Sequence, residues 1–160
     1  MDIRRADRTD APAIWRIIGP TIRAGETYAL DPDMTEEQAL AYWLGDDRET
    51  FVAEGDGQIV GTYYLRANQA GGGSHVCNCG YMTSAAATGR GVARAMCQHS
   101  IERARQLGYR GMQFNFVVST NTRAVALWQS LGFAIVGRLP QAFRHPTLGD
   151  VDALVMFRAL

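Results

Sequence analysis

Several features are scarce in this chain, and each scarcity closes off a class of function. Charge of one sign is missing: 16 basic residues balance 16 acidic ones over 160 residues. Electrostatic capture of nucleic acid needs a clustered basic surface, so no nucleic-acid partner is expected. No apolar run approaches the ~18 residues of a membrane span, and Met1-Asp2-Ile3-Arg4-Arg5 leads straight into polar sequence rather than into an apolar leader. The expectation is a cytoplasmic protein with no membrane partner. Cysteine is sparse and odd in number, Cys77, Cys79 and Cys97, which speaks against a disulfide framework. His75-x-Cys77-x-Cys79 spaces its cysteines more tightly than structural zinc sites do and offers no fourth ligand. No metal is expected, and small buried side chains are the better reading of these cysteines. Repeats, low-complexity tracts and linkers are absent too, so residues 1–160 are expected to form a single domain with its own core.

What is present is an alternation of helical and strand periods. A short strand at Ile3–Ala6 precedes a helix capped by Thr9 or Asp10, with Ile14, Trp15, Ile17, Ile18 and Ile22 at helical spacing and an end near Gly25. Thr35 followed by Glu36, Glu37 and Gln38 predicts a second helix running to Leu44. From Thr50 the period changes to two, and Gly55-Asp56-Gly57 joins two strands as a hairpin turn. A strand over about His75–Thr83, a helix over Arg90–Gln106, a strand over Met112–Val118 and a helix over Thr122–Leu131 follow. Closing strands are expected at Phe133–Val136 and Val151–Phe157, around a loop at Gln141–Asp150. The order β-α-α-β-β-β-α-β-α-β-β reads as mixed α/β. Tyr42-Trp43-Leu44 suits either core or a dimer surface, so a homodimer stays open.

Chemistry concentrates at Thr88-Gly89-Arg90-Gly91-Val92-Ala93. The first turn of a helix leaves backbone N–H groups without partners, and together with the helix dipole they favour an anion. Glycine at 89 and 91 removes the Cβ atoms that would hold phosphate oxygens away. The loop matches neither the nucleotide-binding G-x-x-x-x-G-K-[ST] motif nor G-x-G-x-x-G, since Arg94 stands at the third glycine. By itself it fits an unoccupied helix-entry turn as well as a phosphate cradle.

The loop and a second segment together resemble the GCN5-related N-acetyltransferase (GNAT) superfamily. Gly91 and Ala93 match the last two fixed positions of its [QR]-x-x-G-x-[GA] acetyl-CoA motif, and the segment from Asn121 through Ala124, Leu127, Trp128 and Gly132 to Phe133 resembles N-x-x-A-x-x-[LF]-[YW]-x-x-x-G-F. The resemblance implies a GNAT-like α/β fold: a mixed, mostly antiparallel sheet of about seven strands, flanked by about four helices and splayed between the fourth and fifth strands. It implies acetyl-CoA as co-substrate, with amides of Gly89, Arg90, Gly91, Val92 and Ala93 on the pyrophosphate and backbone at Met82 and Thr83 paired with the pantetheine arm. Asn121 would hold the pantetheine or thiol end. Two departures stand out. Thr88 replaces the family's Gln or Arg, for which Arg90 could compensate. Trp128 stands where many members carry a tyrosine that protonates the departing thiolate, and an indole N–H has no such acid chemistry.

Asn78, before Gly80-Tyr81, and Asn115, between Phe114 and Phe116, interrupt apolar strands. Asn-x-Gly-Tyr and Phe-Asn-x-Val resemble the azetidine-2-carboxylate (proline-analogue) acetyltransferase branch, in which the matching asparagines hold the substrate and stabilise the reacting carbonyl. The resemblance assigns Asn78 and Asn115 catalytic roles. For the acceptor, Glu26, Tyr28, Phe143 and Arg144 are candidate pocket residues: Glu26 as a base acting through water, Arg144 as a bidentate carboxylate ligand. His75 and His145 are further candidates for a base. The function implied is N-acetylation of a small-molecule amine or imine such as an amino acid or proline analogue. Acetylation of a protein N-terminus or an antibiotic-type amine, and non-catalytic sensing of acyl-CoA, are the alternatives.

Overall fold

Helix α1 (Ala11–Ala24) is entered through a short turn at Arg8–Asp10 closed by reciprocal capping: Asp7 Oδ1 accepts from Thr9 N at 2.7 Å and Asp10 Oδ2 from Asp7 N at 2.8 Å. Its Ile14, Ile17, Ile18 and Ile22 form the buried stripe their spacing predicts, and Gly25 ends it in the left-handed region at φ 64°. Helix α2 (Glu36–Trp43) begins at a Thr35/Gln38 capping box, as read from the sequence. These helices cover one face of the sheet. Ile14, Ile18 and Trp43 pack there against Val52, Tyr64 and Met82, and the Trp43 indole donates to Thr62 Oγ1 at 3.0 Å.

The computed structural model describes residues 1–160, and its seven strands form one sheet in the order β1-β2-β3-β4-β5-β7-β6. They are β1 (Asp2–Arg5), β2 (Arg48–Gly55), β3 (Gln58–Ala67), β4 (Val76–Thr83), β5 (Gly111–Val118), β6 (Ala134–His145) and β7 (Gly149–Ala159). Asp56 and Gly57, at φ 53° and 74°, make the tight β2–β3 turn. Helices α3 (Val92–Gln106) and α4 (Thr122–Ser130) cover the other face, where Met96, Ile101, Met112, Phe114, Trp128 and Phe133 join the larger core. No helix is long and apolar enough to cross a membrane.

Every neighbouring pair is antiparallel except β4–β5, which is parallel and pairs only at Val76↔Gly111 and Cys77↔Met112. Beyond Cys77 the two strands part, so the expected splay between the fourth and fifth strands is present. The C-terminal hairpin is longer than the sequence suggested. The Gln141–Asp150 segment is mostly strand, with β6 reaching His145 and β7 starting at Gly149. Register shifts near Ile135 and Leu139, with Gln141 at φ 49°, break the period of two that would have revealed it.

Candidate active site

The parting of β4 from β5 opens a cavity of about 670 Å³ that runs from the start of α3, between the strands, to the α1–α2 loop. A parallel ladder interrupted after two residue pairs leaves the β5-facing edge of β4, from Asn78 onward, without a strand partner. Opposite it, β5 carries a bulge: Phe114 pairs with Met156 and Val117 with Leu154, so Asn115 and Phe116 drop out of the ladder and stand on the cavity wall.

At one end lies the glycine loop. Gly89 and Gly91 hold φ 81° and 79°, a region where other residues are strained, which accounts for glycine at both positions. Gly91 is the N-cap of α3 and contributes no side-chain cap. The amides of Thr88 and Arg90 turn back onto Ala85 and Ala87, whereas those of Gly89, Gly91, Val92, Ala93 and Arg94 have no backbone acceptor. Five unspent donors beside an uncapped helix end favour an anion there. The cations around it differ from the expectation. Arg90 is turned toward the β2–β3 turn, where it pairs with Asp56 at 2.6 Å, and it does not reach the cavity wall. Arg94 and Arg123 do, and sequence reasoning missed both. Arg123 follows Asn121 by two residues; Arg94 lies one turn into α3. Asn121, the N-cap of α4, makes no capping bond, and its free amide lines the cavity with Met82, Thr83 and Thr88. Trp128 is almost buried, its ring 5.1 Å from Tyr81 and 5.2 Å from Phe114.

Toward the other end stand the two asparagines. Asn78 is 7% exposed, and its Nδ2 donates to the Gln113 carbonyl at 2.9 Å, strutting β4 against β5 where backbone pairing has stopped. Asn115 is clamped on both sides: Nδ2 donates to Asn68 Oδ1 at 2.6 Å, and Oδ1 accepts from Gln113 Nε2 at 2.9 Å. Each amide carries two N–H donors, so each keeps one for a ligand. Asn68 and Gln113, which fix these orientations, carry no motif in the sequence; only the folded register brings them together. Tyr28 lies on the wall and donates to the Tyr81 carbonyl at 2.8 Å, tying the α1–α2 loop to β4. Burial holds its hydroxyl well above the ordinary tyrosine range, so it stays protonated. Tyr42, open between core and dimer surface in the sequence, is on the wall as well.

The other acceptor candidates are placed elsewhere. Glu26 is exposed and off the cavity wall. Arg144, its side chain 87% exposed, faces Asp150 at 3.3 Å. Phe143 is buried behind the wall, its ring edge-on to Phe116 at 6.2 Å. His75 and His145 are both outside the cavity. The wall therefore contains no aspartate, glutamate or histidine. Its charges are cationic, and all 16 basic residues of the chain are arginine. All three cysteines are buried and unpaired, Cys97 with its thiol pushed up to about 12 by burial. No group of three or more His, Cys, Asp or Glu is placed to hold a metal.

The sequence model of the Acetyltransferase (GNAT) family matches residues 13–133. N-acetyltransferase aca1 of Schizosaccharomyces pombe is 27% identical over 153 residues, covering 84% of this chain and 72% of its own. A GCN5-related N-acetyltransferase from Kribbella flavida superposes with a TM-score of 0.94 at 47% identity, over 99% of this chain and 97% of that one. The fold also matches yncA from Salmonella typhimurium, solved with acetyl-CoA, with a TM-score of 0.87 at 24% identity over 100% and 94% of the two chains.

Proposed function

The chain belongs to the acetyltransferase (GNAT) family and is an acetyl-CoA-dependent N-acetyltransferase, and from that premise we propose that it transfers acetyl directly to the nitrogen of a small amino acid or proline-like imino acid. The observation that carries this reading is a cavity wall with two clamped asparagine amides at the β4–β5 split and no carboxylate or histidine beside them. The likeness of Asn-x-Gly-Tyr and Phe-Asn-x-Val to the proline-analogue acetyltransferase branch supports the same choice of acceptor.

In this reading the free amides from Gly89 to Arg94 take the pyrophosphate, Arg94 and Arg123 offset its charge, and the open edge of β4 pairs with the pantetheine arm, aiming the thioester at the split. The acceptor nitrogen arrives neutral and attacks the thioester carbonyl carbon. A C–N bond forms as the carbonyl electrons move onto oxygen, where the remaining N–H of Asn78 or Asn115 stabilises the charge. Collapse breaks the C–S bond and sulfur leaves as thiolate. The nitrogen gives its extra proton to water and the thiolate takes one from solvent, since neither Trp128 nor any wall carboxylate or histidine serves as acid or base.

A thiol-release assay with acetyl-CoA tests the acceptor. The panel comprises free amino acids, azetidine-2-carboxylate, peptides with free N-termini and an aminoglycoside. Turnover is expected with amino or imino acids. Release with the peptides or the aminoglycoside alone would move the acceptor to another class.

A further inference from the structure

The open edge of β4 is already occupied at one point. At the two ends of the β3–β4 ladder, Ser84 N donates to the Val60 carbonyl at 2.9 Å and Asn68 N to the Val76 carbonyl at 2.8 Å. Antiparallel pairs alternate between bonded and unbonded positions, and this ladder has no shift of register, so the even-numbered residues of β4 bond to β3. Cys77, Cys79, Tyr81 and Thr83 therefore turn their backbone N–H and C=O groups the other way. Cys77 meets β5 there, whereas Cys79, Tyr81 and Thr83 face the split. Tyr28 enters from the α1–α2 loop and donates its hydroxyl to the Tyr81 carbonyl at 2.8 Å. Tyr28, Cys79, Tyr81 and Thr83 all line the cavity.

The phenol oxygen thus stands where the donor of a neighbouring strand would stand. Its ring is held as well, edge-on to Trp43 with centroids 6.1 Å apart, and Trp43 is itself fully buried and bonded to Thr62. Fixed at both ends, Tyr28 is a bar from the α1–α2 loop to the free edge of β4. A pantetheine arm running along that edge from the glycine loop reaches Thr83 first and then finds the Tyr81 carbonyl taken. Pairing ends at this level, and the thioester comes to rest between Thr83 and the asparagines with its acyl group against the phenol. A longer acyl chain has to push the bar aside, which strips the Tyr81 carbonyl of its hydrogen bond.

We propose that Tyr28 is the residue that restricts the co-substrate to a short acyl group, its anchored phenol closing the acyl end of the split. The inference rests on the placement of the pantetheine arm above and adds a specificity to it. The sequence suggested Tyr28 for the acceptor; its bond to the free edge of β4 assigns it to the acyl group.

The test needs no acceptor. Isothermal titration gives Kd for acetyl-CoA, propionyl-CoA and butyryl-CoA with wild type, Tyr28→Phe and Tyr28→Ala. In wild type, Kd for butyryl-CoA is expected to exceed that for acetyl-CoA by about tenfold or more, the size of one buried hydrogen bond broken. Tyr28→Phe keeps the ring and loses the anchor, and should lower that ratio severalfold; Tyr28→Ala should bring it close to one. A purely structural role would shift all three ligands alike and leave the ratio where it was. A melting curve for each variant shows that the fold is retained, and Tyr28→Phe decides alone if Tyr28→Ala does not fold. Equal Kd values for acetyl- and butyryl-CoA in wild type, or a ratio that the folded variants leave unchanged, would overturn the gate while leaving the acetyltransferase reading intact. If no acyl-CoA binds, the placement of the arm falls and this inference with it.

Discussion

Gly91 holds φ 79° at the mouth of α3, and a Cβ built there meets nothing within 4 Å. Gly91→Ala therefore meets a conformational penalty without a steric clash. Holding a residue with a Cβ in the left-handed region costs about 1–2 kcal/mol, which for a chain of this size lowers Tm by about 2–8 °C. Binding should suffer more. Gly91 lines the cavity, where the proposed pyrophosphate meets the amides of Gly89 and Gly91 to Arg94. A methyl group there displaces the phosphate from at least one of those donors. A hydrogen bond to a charged group is worth about 1.5–3 kcal/mol, so Kd for acetyl-CoA should rise by about 10- to 150-fold. Isothermal titration with acetyl-CoA and a thermal melt of the same sample measure the two effects separately. A variant that loses several degrees of Tm and keeps its acetyl-CoA affinity would refute the cradle, leaving the glycines a purely conformational role.

Three further outcomes follow from the same geometry. Asn78→Ala and Asn115→Ala should each lower kcat by about 10²-fold with little change in acetyl-CoA affinity; unchanged kcat in both would remove them from the chemistry. Arg123→Ala should weaken acetyl-CoA binding several-fold, while Arg90→Ala, which breaks only the pair with Asp56, should not; the reverse order in a titration would reinstate Arg90 as the phosphate ligand. Arg4 grips Asp10 through two bonds, at 2.8 and 2.9 Å, and holds its carboxyl below the usual range. A depressed folded pKa contributes stability that is present above the unfolded value near 4 and is lost as pH falls through the lower folded value. Asp10→Asn should thus be less stable at pH 7 and lose less on acidification than wild type, as followed by chemical denaturation at pH 7 and pH 3.

What the sequence revealed depended on how local the physics was. The capping box at Thr35, the Gly25 stop and the Gly55-Asp56-Gly57 hairpin are each decided within a few residues, and each appears in place. The splay could be inferred only by resemblance, because it depends on β4 and β5 pairing at two positions and no further. The extended β6–β7 hairpin was hidden because its bulges interrupt the alternation by which a strand is read. At the site, the glycine loop was visible as a run of neighbours, whereas the Asn68–Asn115 bond spans 47 positions and forms only in the folded register. Arg90 was the natural cation to choose from its place in the loop. The Asp56 turn, brought alongside by the sheet, takes it away.

The arginines around the cavity have one more consequence. A lysine on the cavity wall near the split would set a primary amine beside a reactive thioester, in competition with the acceptor. A guanidinium stays charged and non-nucleophilic throughout the physiological range. With arginine at every one of its 16 basic positions, the chain offers acetyl-CoA no ε-amino group at all. The enzyme can draw the anionic cofactor in with positive charge and still not spend it on its own side chains.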